Sequence, residues 1–175
     1  MSANGFVQIA IYFLALTALA VPLGNYMARV YAGERVYLSS IAGPLERFIY
    51  RCCRIDEKQE MSWQNYAAGL MIFNLIGFLA LYLLQRCQDL LPFNPQGFPG
   101  VPPALAFNTA VSFVTNTNWQ AYGGETILSL LTQAAGLTVQ NFASAASGMA
   151  ALLAFTRGLK RTLANTIGNV WVDLT

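Results

Sequence analysis

Histidine is absent from all 175 residues. Without imidazole the chain can hold no Ser–His or Cys–His nucleophile pair, no histidine proton relay and no imidazole zinc site. Charge is scarce as well: Asp, Glu, Lys and Arg make up 10% of the chain, where a soluble domain carries about 25%. A surface so poor in charge points to lipid contact. Ten basic against eight acidic residues leave a net charge of +2, too small for an electrostatic nucleic-acid footprint, so no nucleic-acid partner is expected. The three cysteines, Cys52, Cys53 and Cys87, lack any CxxC spacing. The first two fall in a stretch assigned below to the cytoplasm, where thiols stay reduced, and neither a disulfide framework nor a metal knuckle is expected. What is present is an apolar chain, 55% hydrophobic, whose chemistry must rest on backbone and uncharged side chains.

The few charges serve as a ruler. Residues 1–28, 61–85, 90–124 and 126–156 carry none. A helix needs roughly 20 apolar residues to cross the hydrocarbon core, and three windows qualify: 6–26, 63–84 and 130–155. The remaining window differs. Its first part, 90–100, is broken by Pro and Gly and reads as irregular chain. Only 104–114 looks helical, with Pro102-Pro103 placed to open it. Those eleven residues rise about 16 Å at 1.5 Å each, half a membrane.

Basic residues mark the cytoplasmic side. Residues 29–58 hold six Lys and Arg, 157–161 hold three, and Arg86 stands alone between them. Both basic stretches are therefore expected inside, which demands an even number of crossings between them. Windows 63–84 and 130–155 supply two, and 104–114 must dip in from outside and return. The N-terminus is then external. Ala18-Leu19-Ala20 resembles a signal-peptidase site, but MSANG lacks the basic n-region such peptides carry, so 6–26 is read as a retained span. The organisation expected is an N-terminal transmembrane helix (1–32), a cytoplasmic connector (33–62), a helix–pore–helix repeat (63–156) and a cytoplasmic segment (157–175). Within the connector Leu45, Phe48, Ile49, Cys52 and Cys53 share one helical face, Arg47, Arg51 and Arg54 take the other, and Pro44 stands at the start. That pattern suits a helix lying in the membrane interface or, equally, one packed on a partner protein.

Irregular backbone at membrane depth is tolerated only where protein buries it or it lines a watery path. A half-helix followed by Thr115, Asn116, Thr117, Asn118, Trp119 and Gln120 meets that description. Its C-terminal carbonyls are expected to point inward as the negative end of a helix dipole, and the next residues add neutral backbone, hydroxyl and amide oxygens. Such oxygens suit a weakly hydrated monovalent cation such as K⁺, whereas a divalent ion requires carboxylates and an anion requires Lys, Arg or a helix N-terminus. The same residues also serve as ordinary turn and capping sequence, and composition alone leaves both readings open. Trp119 and Tyr122 read either as filter supports or as interfacial belt residues, and Glu125 either as an acid at the outer mouth or as a solvated loop residue. Asn74, Gln133, Gln140 and Asn141 place polar groups in apolar helices, where they are expected to face protein. A carbonyl-lined filter takes four such loops around an axis, and the chain holds a single one with no internal repeat.

The strings Pro92-Phe93-Asn94-Pro95-Gln96-Gly97, Ala106-Phe107-Asn108-Thr109-Ala110-Val111-Ser112-Phe113-Val114-Thr115-Asn116-Thr117-Asn118-Trp119-Gln120, Gly136-Leu137-Thr138-Val139-Gln140-Asn141-Phe142, Ser144-Ala145-Ala146-Ser147-Gly148 and Gly168-Asn169-Val170-Trp171-Val172-Asp173 closely resemble the potassium-binding A subunit family of the bacterial Kdp potassium-transporting ATPase. The similarity runs from Pro22-Leu23-Gly24 to the last residues. The resemblance implies an all-α integral membrane protein of the inner membrane: an extra N-terminal helix, then helix–pore–helix repeats of a potassium-channel-like fold. It implies a non-catalytic subunit that captures external K⁺, the transported ion, and works with the Kdp B (ATPase), C and F subunits in the lipid bilayer, with no organic cofactor and no metal site beyond K⁺. By position the filter would be Thr115, Asn116, Thr117 and Asn118, with Gln120 just after it. Family chains are several times longer, so a truncated gene product or a partial reading frame is expected. Two further readings stay open: a passive cation channel of four identical copies, and an inert membrane fragment. A membrane enzyme is disfavoured, because histidine and paired intramembrane carboxylates are missing.

Overall fold

The computed structural model describes residues 3–161 and 165–175. These form helices joined by turns, with one isolated antiparallel bridge between Met61 and Gly168. The helices are α1 (Ala3–Tyr31), α2 (Ser39–Cys53), α3 (Trp63–Arg86), α4 (Pro103–Val114), α5 (Gly124–Ile127), α6 (Val139–Lys160) and α7 (Val170–Leu174), with a π-helical stretch Thr132–Thr138 leading into α6. The chain divides into two compact units, Met1–Arg54 and Ile55–Thr175.

The first unit holds α1 and α2. At 29 residues and 1.5 Å per residue α1 extends about 43 Å, more than the hydrocarbon core needs, and Leu14, Leu19 and Val21 along it are exposed. A helix apolar all round has lipid as its natural surroundings. In α2 the expected boundary shifts. The helix begins at Ser39, so Pro44 lies inside it rather than at its start. Proline is tolerated there because it lies near the N-terminal end, where few intrahelical bonds are lost. The apolar face is exposed at Ile41, Leu45 and Phe48. Arg54 closes the helix in the left-handed conformation, its N–H donating to Arg51 and Tyr50 carbonyls.

The second unit is built on α3 and the long helix formed by Thr132–Thr138 and α6. Both are long and apolar enough to cross a membrane, as is α1, while α4 is a shorter apolar helix. The third span reaches Lys160, five residues past the expected window, because nothing breaks the helix before Arg161. Small residues let the two long helices approach, as in membrane packing generally. At Gly77 a Cβ would come within 2.6 Å of Gln140 Oε1, and at Gly136 within 2.8 Å of Leu84 Cδ2 and 2.9 Å of Leu81 Cδ1. Ser147 Oγ donates to Asn74 Oδ1 across the pair (3.2 Å). Of the polar residues expected to face protein, Asn74 and Gln140 do so across this contact, and Gln133 donates to the Gly124 and Leu128 carbonyls (3.2 and 3.0 Å). Asn141 differs, being exposed, since it follows Gln140 by one residue and so points about 100° away around the helix.

The 165–175 segment folds back on the start of α3. Tyr66 Oη donates to Ala150 O and to Asp173 Oδ2, both at 2.8 Å. Asp173 also receives Arg157 through both guanidinium nitrogens, and Asn169 Nδ2 donates to the Asp56 and Gln59 carbonyls (3.1 and 3.0 Å). Beside it the Arg161 guanidinium donates to both carboxylate oxygens of Glu60, at 2.8 and 2.9 Å.

Candidate ion-filter segment

Between α3 and the third span the chain makes a hairpin whose ends and tip are each fixed by hydrogen bonds. The descending arm starts beside the end of α3, where Val101 N donates to Gln85 O (3.0 Å) and Gln85 Nε2 to Ala106 O (3.3 Å). Irregular chain precedes it, held by Asn94: its Nδ2 donates to Phe98 O (2.8 Å), and its Oδ1 accepts from Phe98 N (2.9 Å). Pro103 then opens α4 at the first helical position, where a missing N–H costs nothing. Twelve residues carry α4 about 18 Å. Its Phe107 packs edge-on against Phe78 of α3 (5.5 Å between ring centroids), and Ala106, Thr109, Ala110, Ser112 and Phe113 are buried.

The helix stops halfway along its neighbours. Beyond its end Asn116 Oδ1 accepts from Ser144 Oγ (3.4 Å), and Ser144 is the thirteenth of the 29 residues in the span Thr132–Lys160. The ascending arm then returns to its starting level. Gln88, with no exposed surface, donates from Nε2 to Pro99 O (2.7 Å) and Ile127 O (2.8 Å), while its Oε1 accepts from Ser129 N (3.0 Å) and Thr132 Oγ1 (3.2 Å). One amide thus closes both arms and the start of the third span.

At the tip the backbone turns back on the helix it leaves. Thr115, Asn116, Thr117 and Asn118 donate their N–H groups to Val111, Phe113, Ser112 and Ser112 carbonyls respectively (3.0 to 3.3 Å). The Thr115 hydroxyl donates to Val111 O (2.9 Å) and the Thr117 hydroxyl to Ser112 O (3.1 Å). The Val111, Ser112 and Phe113 carbonyls in the last turn of α4 are therefore capped by the loop, where the sequence alone suggested that they stay open to an ion. The negative end of the helix dipole lies halfway along the neighbouring helices, and these terminal oxygens anchor the loop. The oxygens left over are those of the loop itself. Among the described residues no donor reaches the backbone carbonyls of 115–118.

Asn116 (φ 57°) and Asn118 (φ 55°) are left-handed, with Thr117 between them on the ordinary side. Asn is among the few side chains that visit that region. Alternating hand turns successive N–H groups to one side, here back toward the end of α4. Ser112, itself fully buried, ends the turn by donating from Oγ to Trp119 O (2.8 Å). Thr115, Asn116, Thr117 and Asn118 thus come together in one structure, with the two threonine hydroxyls 3.0 Å apart and Asn118 Nδ2 3.4 Å from Asn116 Oδ1. Gln120 stands one residue beyond the last of these ties. Residues 115–120 are all exposed, as is Glu125, and Tyr122 is half-buried.

Three contributors escaped sequence reasoning: Ser112, which organises the loop; Ser144, which touches Asn116; and Gln88. A serine in an apolar half-helix is an available signal for the first. The other two have partners 28 to 44 residues away, and local pattern carries no trace of them.

The chain is similar to a known group of proteins over nearly its whole length. The family profile described as potassium-transporting ATPase A subunit matches residues 10–175. The potassium-transporting ATPase potassium-binding subunit of Sorangium cellulosum is 59% identical over 174 residues, 99% of this chain and 30% of the relative. The subunit of the same description from Methylococcus capsulatus is 60% identical over 175 residues, 100% of this chain and 29% of the relative. That from Mesorhizobium japonicum is 56% identical over 175 residues, 31% of its length. The chain spans about 30% of the length of these curated relatives.

Proposed function

Because this chain belongs to the potassium-transporting ATPase A subunit family, we propose that it crosses the inner membrane three times and offers one filter segment to external K⁺. The ion would meet the carbonyls of 115–118, the threonine hydroxyls and the amide oxygen of Asn118, with Gln120 at the edge of the path. Neutral oxygens replace water around an alkali ion without the tight hold that carboxylates exert on a divalent one. The observation that carries this reading is the exposed loop that ends halfway along apolar helices of membrane-spanning length. Polar backbone there is too costly to leave in lipid, so it faces water, ions or further filter segments. Energy would come from ATP hydrolysed on a partner B subunit, with C and F subunits completing the pump, and this chain would be non-catalytic. Outward capture requires α4 to enter from the external face, with Arg54 and Arg157 both inside.

Native cysteines test the topology. Cys52 and Cys53 are exposed and Cys87 is partly so. In membranes containing the chain, an impermeant maleimide is expected to label Cys87 from outside and Cys52 and Cys53 only after permeabilisation. Labelling of all three from one side overturns the arrangement. Equilibrium binding of Rb⁺ as a tracer for K⁺, made with the partner subunits present, tests the filter. Asn118→Ala is expected to weaken it by about tenfold, the loss of one good oxygen contact, and unchanged binding removes the loop from the ion path. The open side of the loop also admits assembly of four copies. Cross-linking in detergent separates the two, since a tetramer supports the passive channel and a pump-sized complex supports the transport subunit.

A further inference from the structure

In the first unit the end of α1 and the start of α2 enclose an open cleft of about 610 Å³ lined by Asn25, Tyr26, Arg29, Arg35, Tyr37 and Ser40. We infer that this cleft binds the phosphate of an anionic phospholipid, held by the Arg29 and Arg35 guanidinium groups with the tyrosine and serine hydroxyls beside them.

The charge is right for an anion. Residues 1–54 carry five arginines against two glutamates and no other formal side-chain charge, so the unit is more basic than the chain as a whole. One of the glutamates is already engaged: Glu34 accepts from Arg29 Nε at 2.9 Å. A second Arg29 nitrogen lies 3.5 Å from the Arg35 carbonyl. Part of the Arg29 donor fork stays open, and the Arg35 side chain makes no hydrogen bond or ion pair among the described residues. A phosphate takes donors of this planar kind two at a time.

The surroundings select a lipid over a free phosphate. The cleft lies in the last turns of α1; the 28 residues before Arg29 carry no charge, and the large apolar side chains from Phe6 to Leu23 are exposed, so acyl chains have a surface to follow. On its other side α2 exposes Ile41, Leu45 and Phe48 and carries Arg47, Arg51 and Arg54 on the opposite face, the composition of a helix resting among headgroups. Basic pockets at the cytoplasmic ends of membrane helices attract acidic headgroups in this way. The inference needs α1 to reach the bilayer surface at Arg29. It does not need the filter to bind K⁺.

The test uses the full chain in nanodiscs or detergent, with phosphatidylglycerol, phosphatidylcholine and inorganic phosphate as probes and native mass spectrometry counting retained molecules. Phosphatidylglycerol is expected to be retained in preference to phosphatidylcholine. Its affinity should fall about fivefold in Arg35→Gln and about 30-fold in Arg29→Gln/Arg35→Gln, from roughly one unit of surface electrostatic attraction per arginine. Arg51→Gln/Arg54→Gln, on α2 outside the cleft, should lose far less. Equal losses in the two double variants reduce the effect to general surface charge and overturn the site. Displacement of the lipid by millimolar inorganic phosphate overturns the lipid assignment, as does loss of a co-purifying protein in Arg35→Gln with lipid retention unchanged. A chain that fails to enter nanodiscs of either composition refutes the membrane reading instead, a result distinguishable from lipid-independent insertion without preference.

Discussion

Gln88 offers the sharpest test of how the hairpin is held. Replacing it with leucine keeps the volume and removes both amide ends. The Ser129 N–H and the Pro99 and Ile127 carbonyls lose their partner, while Thr132 Oγ1 keeps Ser129 Oγ at 3.0 Å. Three stranded backbone groups cost about 1–3 kcal/mol each. The apolar side chain gives back about 1–2 kcal/mol by burial, for a net destabilisation of about 4 kcal/mol. At about 3 °C per kcal/mol for a chain of this size the melting temperature should fall by about 12 °C. Gln88→Glu sharpens the argument because it preserves shape. One carboxyl oxygen can still accept from Ser129 N, but the other faces two carbonyls and is satisfied only when protonated. Folding therefore raises the pKa of the new carboxyl above its ordinary value of about 4.3. A raised folded pKa means that the variant is most stable below about pH 4 and loses stability as pH rises through the folded value. Thermal melts of the purified chain in detergent between pH 4 and 8 read both effects. A Gln88→Leu variant within 1 kcal/mol of the parent, or a Gln88→Glu variant that gains stability with pH, refutes the account.

Asp173→Asn leaves the guanidinium of Arg157 facing a neutral amide beside a carboxylate site only 4% exposed. It should cost about 3 kcal/mol, the lower end for breaking a buried pair, and Trp171 emission should report α7 coming loose before the main unfolding transition. Glu60 titrates at about 2 instead of 4.5, chiefly because Arg161 and then Thr166 donate to its charged form. Its contribution is complete above pH 4.5 and fades as pH falls toward 2. With 43% of the side chain exposed the pair is worth at most about 1 kcal/mol. Glu60→Gln should accordingly melt slightly lower than the parent at pH 7 and together with it near pH 2. Gly136→Ala drives a methyl onto Leu81 and Leu84, where overpacking costs about 1–3 kcal/mol. A melt unchanged by that substitution argues against the close crossing of α3 and the third span.

Much of the framework was legible in the residues alone. Charge-free windows marked the three long helices, because a 20-residue apolar run has few alternatives to a membrane-length helix. Pro102-Pro103 marked where the half-helix begins, because proline at the first helical position forfeits no bond. The connector helix was found but its start misplaced, since a proline just inside the first turns mimics one at the boundary. Residues 115–118 were readable as a neutral run, and Asn at 116 and 118 is the natural choice for left-handed backbone.

Sequence by itself determined which segments are apolar, how long they are and where the scarce charges interrupt them, because these are properties of single residues and their neighbours. Tertiary structure alone decided which oxygens stay open. The carbonyls ending α4 look available in a pattern of residues, yet the loop folds back and spends its N–H groups and hydroxyls on them, leaving the carbonyls of 115–118 instead. Closure by Gln88, support of Asn116 by Ser144 and anchoring of α7 by Tyr66 belong to the same class. Each joins groups 28 to 107 residues apart, and a hydrogen bond at 3 Å depends on where the chain has come to rest.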